Sequence, residues 1–388
     1  MKFKIVITAI VAAFLTSCSL FDDEHYKVIK NVEQFLRIPD NSDLNYTLEA
    51  DIDFDGVTVL PKRFCGNLDG NGHVISNLTI TSSDNYVGLF SKCTGTVSNL
   101  TIKNVKIDAP QADYVGVISG SGGTFTNCKV IFGTTSSVTG KIYVGGISGS
   151  DGTFTDCTVE STSQNPVVRG NRMVGGLVGY TSSDIESCAV NATVVGAEDV
   201  GGLIGYGRPS IKSCSFQGKV EGESNIGGII GAYENWLESS LLHSCKIDAE
   251  VIASKSSAGG LIGNNYNDGL KVVGCYTRGT VNAPASCGGL VGDCYWHCFI
   301  NLCYSVMDSS LESFDGLGTG SYTDCATVHP ARGSNYGTNV KHSCTDITTF
   351  LKECYSEYAD YWNYEDTWLH NGTVSCPKLA WEYYRICH

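Results

Sequence analysis

The chain has 388 residues, 40 acidic against 26 basic, and a net charge of −14. Loss of Lys2 and Lys4 with an amino-terminal signal would take the mature chain to about −16, and such a surface repels nucleic acid and anionic lipid head groups, so nucleic-acid partners are excluded. Only 17% of residues are charged, 45 are Gly and 18 are Cys, and this length suffices for one long core.

Lys2 and Lys4 precede an apolar stretch over residues 5–15, too short for a membrane-crossing helix but of the length of a signal-peptide core. It ends in Leu15-Thr16-Ser17-Cys18, which resembles a bacterial lipobox. The resemblance implies cleavage before Cys18 and a lipid anchor on that cysteine; an ordinary secretory signal with an incidental cysteine is the alternative. Asp22, Asp23 and Glu24 resemble the acidic surface-export signals of Bacteroidetes lipoproteins, although the acidic run begins late. Residues 1–17 are thus expected to be a signal peptide and 18–25 a tether. The expected location is the outer membrane, lipid-anchored and exposed at the cell surface.

Residues 31–37 (NVEQFLR) predict a short amphipathic helix, 46–53 a strand and 66–73 (GNLDGNGH) a tight turn, so residues 26–80 read as a cap with the first rung. Between 81 and 335 a V-G-G-L-V-G-like hexapeptide returns nine times. Its first glycines are Gly88, Gly116, Gly145, Gly175, Gly201, Gly227, Gly259, Gly288 and Gly316, at a period of 26 to 32 residues. Short β-branched runs between Gly, Ser, Asp and Asn predict three strands per repeat and no helix. A coil of this size is one rung of an all-β, parallel β-helix or solenoid, here of roughly nine to ten rungs. Residues 336–388 close it as a second cap, with a helix over 345–362 and aromatic strands through Trp368 and Trp381; an uncapped end would expose core and strand edge.

A second landmark follows each hexapeptide. Cys128, Cys157, Cys188, Cys214, Cys245, Cys275, Cys303 and Cys325 share one place in the repeat, held by Leu78 and Leu100 in the first rungs. A slot shared by leucine and cysteine is a core slot, so these are expected to be buried, mostly reduced thiols. Disulfides between adjacent rungs are the alternative, which parallel side-chain directions disfavour. Cys344, Cys354, Cys376 and Cys387 fit disulfides in the rear cap.

Candidate site residues are few. Asp51-x-Asp53-x-Asp55-Gly56 copies the start of a calcium loop, but Lys62 stands where a glutamate is required, so alternating strand residues explain it better. Cys294, His297, Cys298 and Cys303 lack a usual closed zinc spacing, and a loop disulfide is preferred to a metal. Aromatics follow the hexapeptide in successive rungs: Tyr180, Tyr206, Tyr233, Tyr266 and Tyr295, with Trp236 and Trp296 beside two of them. Stacking should bring them into one stripe on an edge where the loops also lengthen, suited to glycan or peptide surfaces. The competing explanation is that these rings merely pack over the corners of the coil.

The hexapeptide array, the leading YTLEADIDFDG…FCGNLDGNGHVISNLTI and the closing DTWLHNGTVSCPKLAWE are together similar to GLUG-motif proteins. These are bacterial surface proteins whose motif also occurs beside the peptidase domain of IgA-specific metallopeptidases and in large adhesins. The resemblance covers residues 26–388 and implies a scaffold, not a reaction. A zinc peptidase of that kind needs H-E-x-x-H, and none of the eight histidines begins one. The expectation is a non-catalytic solenoid without cofactor or metal, lipid-anchored, that binds glycans or host or neighbouring-cell proteins. A glycan-active β-helix enzyme and a purely structural spacer are the alternatives.

Overall fold

The computed structural model describes residues 26–309 except 163, 164, 166, 235–239, 296, 297 and 302. Beyond these it describes the short strands Ser321–Thr323, Ala326–Thr327, Lys341–His342, Trp368–Leu369 and Lys378–Leu379. The clearest rung runs through Arg172–Gly175, Val178–Thr181, Ile185–Glu186 and Ala189–Val195. Each strand pairs in parallel with its equivalents in the rungs before and after, giving four sheets of seven, nine, twelve and sixteen strands, numbered here first to fourth. Seven consecutive rungs place a strand in all four sheets. The rung before them is completed by a bridge between Val87 and Val115, so about eight coils are complete.

The coil has four sides, not the three expected, because the hexapeptide is itself a corner. Val174-Gly175 ends a strand of the first sheet and Val178-Gly179 begins one of the second. Val174, Leu177 and Val178 are fully buried, each contributing about 1.5–3 kcal/mol of hydrophobic stabilisation. At this corner neighbouring backbones nearly touch. A Cβ on Gly179 would sit 2.5 Å from the Val144 amide nitrogen and 2.6 Å from the Gly149 carbonyl oxygen, so a side chain there would force the rungs apart. Gly116, Gly145, Gly175, Gly201, Gly227, Gly259 and Gly288 accordingly stand in one register column.

The cysteine column is buried as expected, and the seven column cysteines from Cys128 to Cys303 are reduced thiols, none of them in a disulfide. They line the corner between the third and fourth sheets, where the preceding residue is left-handed: Asn127, Asp156, Ser187, Ser213 and Ser244 all have φ of 50–55°. The corner breaks the backbone ladder, and the thiols mend it. The Cys188 sulfur accepts the Cys157 N–H at 3.4 Å and donates to the Glu186 carbonyl at 3.3 Å, and the Cys214 sulfur repeats this for Cys188 and Lys212. Leucine could fill the space but not make these bonds. Burial pushes the thiols of Cys188, Cys214, Cys245 and Cys275 well above the ordinary range. Cys325 lies outside the described residues.

At the front, the expected helix forms over Val32–Leu36. The Asn31 side chain caps it by accepting the Gln34 N–H at 3.0 Å, and Gln34 reaches back to the Lys30 N–H at 2.7 Å. Phe35 plugs the first rungs, edge-on to Phe54 at 5.5 Å and 6.3 Å from Phe90, which stacks on Phe64 at 4.5 Å. The expected strand over 46–53 is two, Tyr46–Leu48 and Ile52–Asp53, because the coil turns a corner between them. The turn expected over 66–73 is confined to Asn71 and Gly72, and Asn67–Asp69 pairs as a strand in the third sheet. At the rear, Trp368–Leu369 and Lys378–Leu379 pair antiparallel. The helix expected over 345–362, Trp381, and Cys344, Cys354, Cys376 and Cys387 lie outside the described residues, as does the hexapeptide at Gly316.

Candidate binding edge

Side chains alternate between core and solvent along the second sheet, so the distance of each aromatic from its motif glycine decides which way it points. Tyr180 and Tyr206 come one residue after Gly179 and Gly205 and face outward, in register with each other and then with Ala232, Asn264 and Asp293. Tyr233 comes two residues after Gly231 and faces inward, in register with Gly207 and Asn265; it is wholly buried, and its hydroxyl has no hydrogen-bond partner among the described residues. It cannot present its ring to a ligand, which corrects its place in the expected stripe. Tyr266 and Tyr295 come three residues after Gly263 and Gly292 and face outward again. Trp236, Trp296 and Cys18 lie outside the described residues.

The edge also holds tyrosines that the hexapeptide count misses. Tyr86, Tyr114 and Tyr143 stand two residues before Gly88, Gly116 and Gly145, with φ of 65°, 65° and 57°, a left-handed bulge that turns each ring outward. Their recurrence at one offset in three successive copies was the available signal. The rings stack at 4.5 and 4.7 Å, close to the rung spacing of about 4.8 Å, so each ring covers its neighbour's face. The Lys92 ammonium sits 3.9 Å over the first ring and closes that end. Tyr143 then meets Tyr180 edge-on at 6.1 Å, and Tyr180 leans on Tyr206 at 6.1 Å. The Tyr180 hydroxyl donates to Glu234 at 3.1 Å. Burial, and then the Glu234 carboxylate, push the Tyr180 and Tyr206 hydroxyls up to about 12, so both stay neutral at physiological pH.

Beyond the small residue Ala232 the edge changes character. Tyr266 lies 5.5 Å from Tyr295, and its hydroxyl accepts from the Asn264 amide at 3.1 Å and the Asn225 amide at 3.5 Å. Asn225 also donates to Asp199 at 2.9 Å, a buried carboxyl that desolvation raises and this bond only partly restores. Tyr295 is 69% exposed. One ring is therefore fixed by hydrogen bonds and its neighbour stands open to solvent.

The other marked residues serve the scaffold. Asp51 accepts the Val74 N–H at 3.0 Å and pairs with His73 at 3.1 Å, whereas Asp53 accepts from Asn77 at 2.8 Å and Asp55 N–H at 3.0 Å. The Val74 and Asn77 bonds, respectively, are the main causes that hold these carboxyls below their ordinary range. Cys294 and Cys298 are not bridged, which corrects the loop disulfide; His297 lies outside the described residues.

The GLUG motif matches residues 170–195, which is the single clearest rung described above. Over 83 residues the chain is 40% identical to Halomucin of Haloquadratum walsbyi, a match that takes in 20% of this chain and 1% of that protein. A Bacteroides ovatus crystal structure, provisionally described as an immunoglobulin A1 protease, superposes with a TM-score of 0.38 at 18% identity, over 92% of this chain and 93% of its own. Because the corner and register of the matched rung recur in the rungs on either side, the chain is a repeat of GLUG-type rungs wound into a parallel β-solenoid.

Proposed function

We propose that the chain is a lipid-anchored protein of the outer membrane, displayed at the cell surface, that binds a glycan or a protein of a host or neighbouring cell through the Tyr266 and Tyr295 end of its aromatic edge. The observation that carries this reading is the exposure of Tyr295 beside a ring whose hydroxyl is already held by Asn264 and Asn225. A fixed, partly open aromatic pair loses little entropy when a sugar face or an apolar side chain settles on it. The anchor rests on Leu15-Thr16-Ser17-Cys18.

A glycan-active enzyme would need two carboxylates about 5–9.5 Å apart. On the outer face of the fourth sheet Glu160 and Asp248 occupy one column but stand three rungs apart, about 14 Å. That pair is too widely spaced to act as one. The spacer reading draws on the other half of the edge, where ring faces are used within the protein.

The test is a glycan-array and surface-protein titration of the intact chain beside Tyr295→Ala. Retained affinity in the variant sinks the edge as a binding site. Release of Cys18→Ser from the membrane fraction is the expected result for the anchor, and unchanged membrane association sinks it.

A further inference from the structure

The outer face of the fourth sheet carries a trough remote in the coil from the tyrosine edge. Thr158, Ala189, Ser215 and Lys246 form one outward column, and Glu160, Asn191, Gln217 and Asp248 form the next, in register rung by rung. Three consecutive small residues sink the first column between Lys129 on one side and Lys246 and Tyr276 on the other. The depression measures about 390 Å³, within the range of about 300–1,000 Å³ usual for small-molecule sites. The amides of Asn191 and Gln217 are exposed along it and have no hydrogen-bond partner among the described residues. An ion pair between Lys129 and Glu160, 2.7 Å long, closes one end, and Lys246 and Asp248 bring one charge of each sign to the other.

We propose that this trough binds an extended, neutral oligosaccharide lying along the solenoid axis. Its polar groups recur once per rung, about every 4.8 Å, over roughly 14 Å. An extended peptide advances about 3.3–3.4 Å per residue and falls out of register within two or three residues. An extended chain of pyranose rings advances one bulky, hydroxyl-bearing unit per step and keeps pace with the rungs. The amides suit hydroxyls because each both donates and accepts, as a hydroxyl does. The balanced charges at the two ends offer no net attraction to a polyanion or polycation.

The full-length chain is titrated calorimetrically with cellohexaose, mannohexaose and maltohexaose, three neutral chains of which the first two are extended and the third curls. The result expected is binding of at least one extended chain, with maltohexaose at least about tenfold weaker. Asn191→Ala and Gln217→Ala should each weaken binding about tenfold. Ala189→Trp and Ser215→Trp, outward substitutions that fill the trough, should abolish it with the thermal midpoint unchanged; two variants are used in case one fails to fold. No binding of either extended chain, equal binding of maltohexaose, or unaltered binding in both folded tryptophan variants overturns the proposal. Tyr295→Ala should be silent here. If it alone removes binding, the trough fails and the tyrosine edge stands.

Discussion

Tyr86, Tyr114 and Tyr143 stack at 4.5 and 4.7 Å, with Lys92 over the first ring, whereas Tyr295 touches one neighbour at 5.5 Å and is 69% exposed. The same residue type on the same edge does two different things, and the place in the rung from which each ring issues separates them. Tyr86, Tyr114 and Tyr143 issue from one offset in three successive rungs about 4.8 Å apart, which is stacking distance, and they cover one another, whereas Tyr180 and Tyr206, also in adjacent rungs, tilt apart to 6.1 Å. Where Ala232 interrupts the column and the next tyrosines issue two residues later, the last ring is left open. The stacked half should therefore act on stability and the open half on binding.

The largest effect comes from breaking the spacing that both halves depend on. Gly179→Val puts side-chain atoms into the Val144 and Gly149 backbone beside Tyr180, and should cost about 3 kcal/mol or more in urea unfolding, with binding lost only as the protein unfolds. A stability change below about 1 kcal/mol would mean that the rungs can part without penalty and that the stack is not held by the corner. Cys214→Asp, in the rung of Tyr206, should cost on the order of 4 kcal/mol because it places a carboxyl at a fully buried position. Cys214→Leu should cost about 1–2 kcal/mol, from overpacking and the lost thiol bonds. The same burial predicts that native protein resists thiol alkylation at neutral pH along the column from Cys128 to Cys303; rapid labelling of these cysteines would contradict it.

The direct comparison is between Tyr114→Ala and Tyr295→Ala. The first should lower stability by about 1–2 kcal/mol, since two neighbours each lose a covered face, and leave affinity intact. The second should change stability by less than about 0.5 kcal/mol and weaken binding by about 1–3 kcal/mol. Reversed outcomes would exchange the roles assigned to the two halves.

The smallest effect is alkaline. The folded Tyr180 and Tyr206 hydroxyls titrate near 12 against an ordinary value of 10, so the fold favours their protonated forms. Their stabilisation is complete below about pH 10 and declines as pH rises toward 12, because the unfolded chain sheds those protons first. A late component in the native tyrosinate absorbance that shrinks by two rings in Tyr180→Phe with Tyr206→Phe is the expected signature, the wholly buried Tyr233, whose hydroxyl burial also raises, remaining in the variant. A single titration step near 10 would show that the junction of the two halves is open to water.

The sequence by itself determined the solenoid, since a glycine-bearing apolar unit returning every 26 to 32 residues can bury its core only against its own copies. It also determined the burial of the cysteines, because leucine shares their slot. The short capped helix at residues 31–37 was legible for the same local reason, a capping asparagine ahead of an amphipathic turn. Tyr233 could have been turned inward by counting alternation from Gly231, and the tyrosines before Gly88, Gly116 and Gly145 could have been found at their common offset. Other features belong to the tertiary structure alone. The hexapeptide reads as a strand, but it is a corner, because inter-rung packing at Gly175 and Gly179 bends it and adds a fourth side to the coil. The trough combines Thr158, Ala189 and Ser215 from three separate repeats, and the aromatic edge combines tyrosines from before and after the motif. Neither pattern exists in any one repeat; each arises only when register sets one rung on the next at the spacing of a backbone hydrogen bond.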